Sequence, residues 1–206
     1  MKRIYLLTLL LLACYFVNGQ NNFGVFFSQN LSTFRFIDSE GNKDDLKFTI
    51  KYAYGLTYQR EFTENIFLEG LLSYSNKGAN SSEGLINLDW SFHYLNTAIN
   101  AGYKIMYFCR LHPHGGLGVY YGRLLKANQF IGSEYYDLMP LNIISKNDFG
   151  VNIFAGLEYE YSNSGFIFLR LNQEMGLHQL EVSDQDSQRM YNRTFSIQIG
   201  FLFKIN

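Results

Sequence analysis

The chain has 206 residues and a net charge of −1, with 17 Lys and Arg against 18 Asp and Glu, so no overall field favours nucleic acid or an acidic partner. It holds 19 Phe and 16 Tyr but 1 Trp and 2 Pro, a composition rich in strand formers and poor in strand breakers. Mean hydropathy is nevertheless slightly negative, which points to one domain of strands with an apolar and a polar face.

Residues 1–19 read as a signal peptide. Lys2 and Arg3 form a positive start, Ile4 to Phe16 form a short apolar core, and the small Val17 and Gly19 fit a cleavage site that leaves Gln20 as the new terminus. The apolar run is shorter than the roughly 20 residues a membrane helix needs. Leu11-Leu12-Ala13-Cys14 also fits a lipid-attachment box, but Tyr15, Phe16 and Val17 stay apolar after it. Once Cys14 is removed, Cys109 stands alone and the fold is expected to lack disulfides.

From residue 20 onward the dominant signal is a two-residue period, which puts alternate side chains on opposite faces of a strand. Eight strands are predicted, at 22–34, 47–62, 66–77, 87–107, 113–125, 148–161, 165–178 and 193–205. The second alternates Phe48, Ile50, Tyr52, Tyr54, Leu56 and Tyr58 with Thr49, Lys51, Ala53, Gly55, Thr57 and Gln59. The last sets Phe195, Ile197, Ile199, Phe201, Phe203 and Ile205 against Ser196, Gln198, Gly200, Leu202 and Lys204. In the fourth, the apolar set moves from Leu88, Trp90, Phe92 and Tyr94 to Leu95, Ile99, Ala101 and Tyr103, the mark of a β-bulge.

The connections alternate in length. Turns at 63–65 and 162–164 are tight and 108–112 is medium, whereas 35–46, 78–86, 126–147 and 179–192 are long and polar. Short turns at one end and long loops at the other predict an all-β, closed antiparallel up-and-down transmembrane β-barrel of about eight strands. The second face agrees, because it mixes small residues with opposite charges: Lys51, Gln59, Glu69, Ser73, Ser75, Asp89, His93, Asn152, Glu158, Glu160, Arg170, Asn172, Glu174 and Gln198 with several glycines. That mixture suits a crowded interior, and an eight-stranded barrel leaves no wide pore. Buried charges persist only when paired, so Arg170 and Lys51 are expected to neutralise some of Glu69, Glu158 and Glu174. Tyr52, Tyr74, Tyr94, Tyr103, Tyr107, Tyr120, Tyr121, Tyr159 and Tyr161 are expected in aromatic girdles. In a soluble barrel the same faces would be reversed.

Several phrases carry a family resemblance. Residues 54–78, YGLTYQREFTENIFLEGLLSYSNKG, together with Tyr94-Leu95, Gly115-Gly116-Leu117-Gly118, Asp148-Phe149-Gly150 before AGLEY, and the closing SIQIGFLF, resemble PorT-type outer-membrane β-barrel proteins of the OmpA-like small-barrel superfamily. The resemblance spans nearly all of residues 20–206 and implies a barrel in a bacterial outer membrane. Its namesake's association with secretion and gliding machinery does not follow from fold likeness. One departure is the C-terminus, where Phe203 is followed by Lys204-Ile205-Asn206.

Chemistry is sparse. His112-Pro113-His114 is the one tempting metal spacing, but no Cys or carboxylate cluster lies beside it in sequence, and turn histidines at the inner rim are the expectation. Asp184, Asp186 and Ser187 in an outer loop are the weak basis for a lipid-modifying enzyme. No catalytic residue, cofactor or metal is expected. The reading is a monomeric structural or interaction protein that meets membrane lipid, the barrel-assembly machinery and an envelope protein partner, with no nucleic acid; a small-solute conduit or a lipid-modifying enzyme is the alternative.

Overall fold

The computed structural model describes residues 19–37, 43–83, 86–105, 110–182 and 189–205. The predicted signal peptide, Cys14, Tyr107, Cys109, Asp184, Asp186 and Ser187 lie outside them. The strands are β1 Asn21–Ile37, β2 Lys43–Asp45, β3 Thr49–Glu61, β4 Ile66–Glu83, β5 Ile86–Lys104, β6 Leu111–Ile131, β7 Glu134–Asp137, β8 Asn147–Ser162, β9 Gly165–Gly176 and β10 Arg189–Ile205. Neighbours are antiparallel in the order β10-β9-β8-β6-β5-β4-β3-β1, and β10 pairs back onto β1. Eight long strands therefore close into an up-and-down barrel, while β2 and β7 are short additions to β1 and β6.

Closure leaves two faces with opposite chemistry. Outward go Phe149, Ile197 and Phe201, each more than two-fifths exposed, with Phe23, Val25, Phe27, Ile99, Leu117, Val119, Ile153 and Leu169. Inward go Glu69, Glu158, Arg170, Gln59, Asn100 and Asn152, all buried. A soluble barrel would show the reverse. On β10 the outward apolar run from Phe195 to Ile205 covers eleven residues, which at ~3.3 Å per residue and ~40° tilt spans about 25 Å, the height of a hydrocarbon-facing band.

Above this belt the strands continue. β4 runs to Glu83 and β5 starts at Ile86, so the predicted loop at 78–86 is mostly strand. The predicted loop at 126–147 holds the end of β6 and the β6–β7 hairpin, which turns at Gly132 with a φ of 61°, where glycine avoids the Cβ clash. These segments are rich in Asn, Ser and Gln, so their pairing leaves little trace in a hydropathy pattern.

The phase change read in β5 has a different cause. From Phe92 to Lys104 the even side chains point inward without interruption. The ladder does shift register between His93 and Tyr94, but the additional residue is Leu125 of β6. Phe92 and Tyr94 look out of phase because the outer part of the lumen is itself apolar. There Phe34, Ala79, Phe92, Leu124, Leu180 and Met190 form a buried cluster, backed by Trp90, Leu138 and Ile144. Tyr94 and Tyr120 are accordingly buried in the lumen and belong to no girdle, whereas Tyr52, Tyr54, Tyr103, Tyr121, Tyr159 and Tyr161 are exposed. His93 and Asp89 also depart from the expected lumen set. Both belong to the odd, outward set of β5, and His93 hydrogen-bonds the Tyr74 hydroxyl at 2.9 Å.

Candidate functional site

The lumen is filled by three ionic layers stacked along the barrel. At the inner end, Lys104 of β5 donates to Glu61 Oε1 at 2.7 Å and lies 2.6 Å from Glu158 Oε2. Lys204 closes the rim against Glu160 at 2.7 Å. His112 and His114 of β6 are buried strand residues of this region, not turn residues, because Leu111 already pairs with Tyr159.

The middle layer centres on Arg170 of β9. Its Nη1 and Nη2 donate to Glu69 Oε2 and Oε1 at 2.7 and 3.0 Å, and its Nε donates to His114 Nε2 at 3.3 Å. The guanidinium also stacks on Phe154 and Phe168, with its carbon 4.5 and 5.2 Å from the ring centres. Glu69 accepts two further bonds, from Thr57 at 3.0 Å and Asn100 at 2.9 Å. A fork-on-fork ion pair with the remaining acceptor sites occupied is the arrangement in which two charges tolerate burial. From Asn100 an amide ladder continues across the lumen: Asn152 Nδ2 donates to Asn100 Oδ1 at 2.9 Å and to Asn172 Oδ1 at 3.3 Å. Gly118 leaves room for it, since a Cβ there would lie 2.1 Å from Asn100 Oδ1.

The upper layer holds Lys77, 2.8 Å from Glu174 and 3.5 Å from Asp148. Asp148 Oδ2 also accepts from Asn192 at 2.7 Å and from the Tyr120 hydroxyl at 3.3 Å, and Lys77 lies 4.3 Å from the Tyr120 ring centre. Between the middle and upper layers lies a cavity of about 30 Å³ lined by Asn96, Asn100, Asn152, Asn172, Glu174 and Gln198. That is room for about two water molecules. The apolar cluster caps the stack.

Of the five residues expected to form one network, Arg170 and Glu69 meet directly. Glu158 and Glu174 pair instead with Lys104 and Lys77, one layer below and one above. Lys51 reaches none of the three carboxylates. The β3–β4 ladder ends at Ala53↔Ser75, and Asn30 and Ser32 of β1 bond directly to the β4 backbone at Asn76 and Gly78. β4 thus stands between Lys51 and the lumen, and the ammonium pairs with Asp89 at 3.2 Å. The two cations that sequence reasoning missed share a legible signal: Lys77 and Lys104 fall on the inward parity of their strands.

Among the described residues, no group of three or more His, Cys, Asp or Glu is placed to hold a metal ion. Outside the lumen, His178 Nε2 lies 3.0 Å from Ser145 Oγ, which also donates to the Asn147 carbonyl at 3.0 Å. With the His178 ring packed on Phe149, this contact ties two outer connections to the wall.

No family model matches the chain, and no characterised protein matches it by sequence. Solved structures do. The outer membrane protein OprG from Pseudomonas aeruginosa aligns over 91% of this chain and 96% of its own, with 14% identity and a TM-score of 0.53. Ail, the attachment invasion locus protein of Yersinia pestis, aligns over 91% of this chain and 99% of its own, with 15% identity and a TM-score of 0.49. At these identities the likeness to OprG shows the fold: an outer-membrane type of β-barrel.

Proposed function

We propose that this protein is a bacterial outer-membrane barrel that serves as a closed anchor, holding its outer strands and loops at the cell surface for interaction with an envelope partner. The observation that carries this reading is the filled lumen. Among the described residues, three layers of ion pairs and an apolar cap fill the lumen, and the cavity between its middle and upper layers, about 30 Å³, is too small for a sugar or amino acid. Outer-membrane residence is supported by the exposed apolar belt and by the fold shared with OprG. Membership of the PorT-type family is supported by residues 54–78 and the closing strand, and export by the signal-like residues 1–19. The contact of each lumen carboxylate named above with a cation supports a non-enzymatic role; the reading keeps a monomer whose general partners are the barrel-assembly machinery and lipid.

The test has two parts. The full chain expressed in a Gram-negative host should fractionate with outer membranes, resist carbonate extraction and change gel mobility on boiling. Reconstituted into liposomes, it should leave sugar influx at the level of empty vesicles. Recovery in the soluble periplasm would overturn the location, and rapid sugar entry would overturn the closed lumen in favour of a conduit.

A further inference from the structure

A groove on the outer wall, which touches the lumen set only at Asn192, has the make-up of an anion-binding site. β10 continues past the point where β9 leaves it: their pairing stops at Arg193↔Met175, and the chain after β9 turns toward β8, with Leu177 N bonded to the Phe149 carbonyl at 2.8 Å. The departure opens a notch of about 390 Å³ lined by Arg35, Ile37, Met175, Leu177, Tyr191 and Arg193. Register fixes its layout. Arg35 of β1 is directly opposite Tyr191 of β10, and Arg193 lies two residues along on the same face, so the two guanidiniums approach one groove diagonally. Met175, Leu177 and Ile37 supply an apolar floor.

Its height is the second observation. On the same three strands the outward residues nearer the inner end are those of the apolar belt: Phe27 and Val25, Leu171 and Leu169, Ile197 and Ile199. The groove therefore begins where the belt ends, at headgroup level on the side of the long loops. Arg123 occupies the matching border on β6, exposed and donating to Asn147 Oδ1 at 2.7 Å. Arginines whose stems lie on apolar surface and whose heads reach the interface meet the phosphates of a lipid leaflet. Each guanidinium has five donors, so contacts to protein leave capacity for a phosphate as well. Asp45 is the register partner of Arg35 on the side away from the groove.

We infer that this notch binds the phosphorylated headgroup of an outer-leaflet lipid, with Arg35 and Arg193 gripping phosphate oxygens and Met175, the apolar lining residue level with Arg193 and nearest the belt, meeting the start of an acyl chain. The inference rests on the outer-membrane reading. The experiment uses the full-length barrel purified in detergent, with bis-phosphorylated lipid A, the dephosphorylated lipid and inorganic phosphate as probes and native mass spectrometry as the readout. Lipid A should bind the parent barrel, and the double variant Arg35→Gln/Arg193→Gln should bind about tenfold more weakly or worse. Arg123→Gln, an arginine at the same height on another wall, should bind as the parent does. Dephosphorylated lipid should bind about as weakly to the parent as lipid A does to the double variant. Millimolar inorganic phosphate should not displace lipid A. Equal lipid A binding by parent and double variant, an equal loss in Arg123→Gln, or displacement by free phosphate would overturn the inference. Gel mobility before boiling reports whether each variant is folded. Fractionation of the parent separately reports the membrane reading, so a barrel that resides in outer membranes but fails these comparisons condemns the groove alone.

Discussion

Arg170 and Glu69 allow the packing of the lumen to be tested quantitatively. Glu69→Leu would leave the Arg170 guanidinium, 2% exposed, with His114 as its remaining hydrogen-bond partner, and Arg170→Met would strand the carboxylate with only Thr57 and Asn100. Breaking a buried pair from one side costs about 3–5 kcal/mol, because the survivor is an uncompensated charge. Removing both sides costs far less, about 0–2 kcal/mol, since Phe154 and Phe168 already offer apolar walls to the replacements. The two single costs would then overshoot the double by about 4 kcal/mol or more, a coupling read from a double-mutant cycle. Urea unfolding of the barrel in liposomes, followed by gel mobility and by the fluorescence of Trp90, would supply the four stabilities. The Lys204–Glu160 pair, with side chains 20% and 28% exposed at the inner rim, is the internal control and should couple by less than about 1 kcal/mol. A coupling below about 0.5 kcal/mol would refute the description of Arg170 and Glu69 as a buried pair whose charges hold each other in place.

Other expectations follow from the same geometry. Ile199→Arg, in the middle of the outward run of β10, should destabilise insertion by about 2–4 kcal/mol, whereas Phe203→Arg near the border should cost about 0–1 kcal/mol; equal costs would mean the belt is misplaced. Phe92→Ala should cost about 3–5 kcal/mol in the same urea assay if the outer lumen is packed as a core, and a loss under about 1 kcal/mol would show that it is loose. Gly118→Ala should destabilise by about 1–3 kcal/mol, because the new methyl meets Asn100 Oδ1 and the Ile99 carbonyl. Gly70→Ala, whose Cβ would meet nothing within 4 Å, should stay within about 0.5 kcal/mol.

Which side of each strand meets lipid was legible wherever the two faces differ in polarity, as in β3, β8 and β10. There alternation and pairing agree, and on β8, as on β4 and β9, Glu158, Glu69 and Arg170 fall inward as their parity demands. Legibility fails toward the outer end. Once strands rise above the belt, their outer face meets water and their inner face packs an apolar cap, so the sign of the pattern reverses. Phe92 and Tyr94 then imitate a bulge, and Asn80 to Glu83 imitate a loop. Tyr94 and Tyr120 are illegible for a related reason: a tyrosine at a strand end suits an interface, but its hydroxyl serves a lumen carboxylate or amide equally well. The partner of Lys51 is equally hidden, because alternation gives the side of a strand, not what another strand interposes. The partners of Glu158 and Glu174 depend on which residues sit at the same height on strands far apart in sequence, and that is set by strand stagger. No local period encodes it.

The seam between β1 and β10 has a bearing on how such a chain matures. Seventeen consecutive pairs, from Asn21↔Ile205 to Ile37↔Arg189, join the two strands. Until Arg189–Ile205 arrives, the leading strand has no permanent neighbour on one flank, and a string of amide and carbonyl groups waits for a mate. Zippering of hairpins from front to back therefore cannot complete a stable product; the final ribbon acts as a clasp, and its absence leaves two raw margins rather than one slightly smaller cylinder. A chain cut short before that ribbon should be a target for proteolysis and misassembly, however sound its first seven staves.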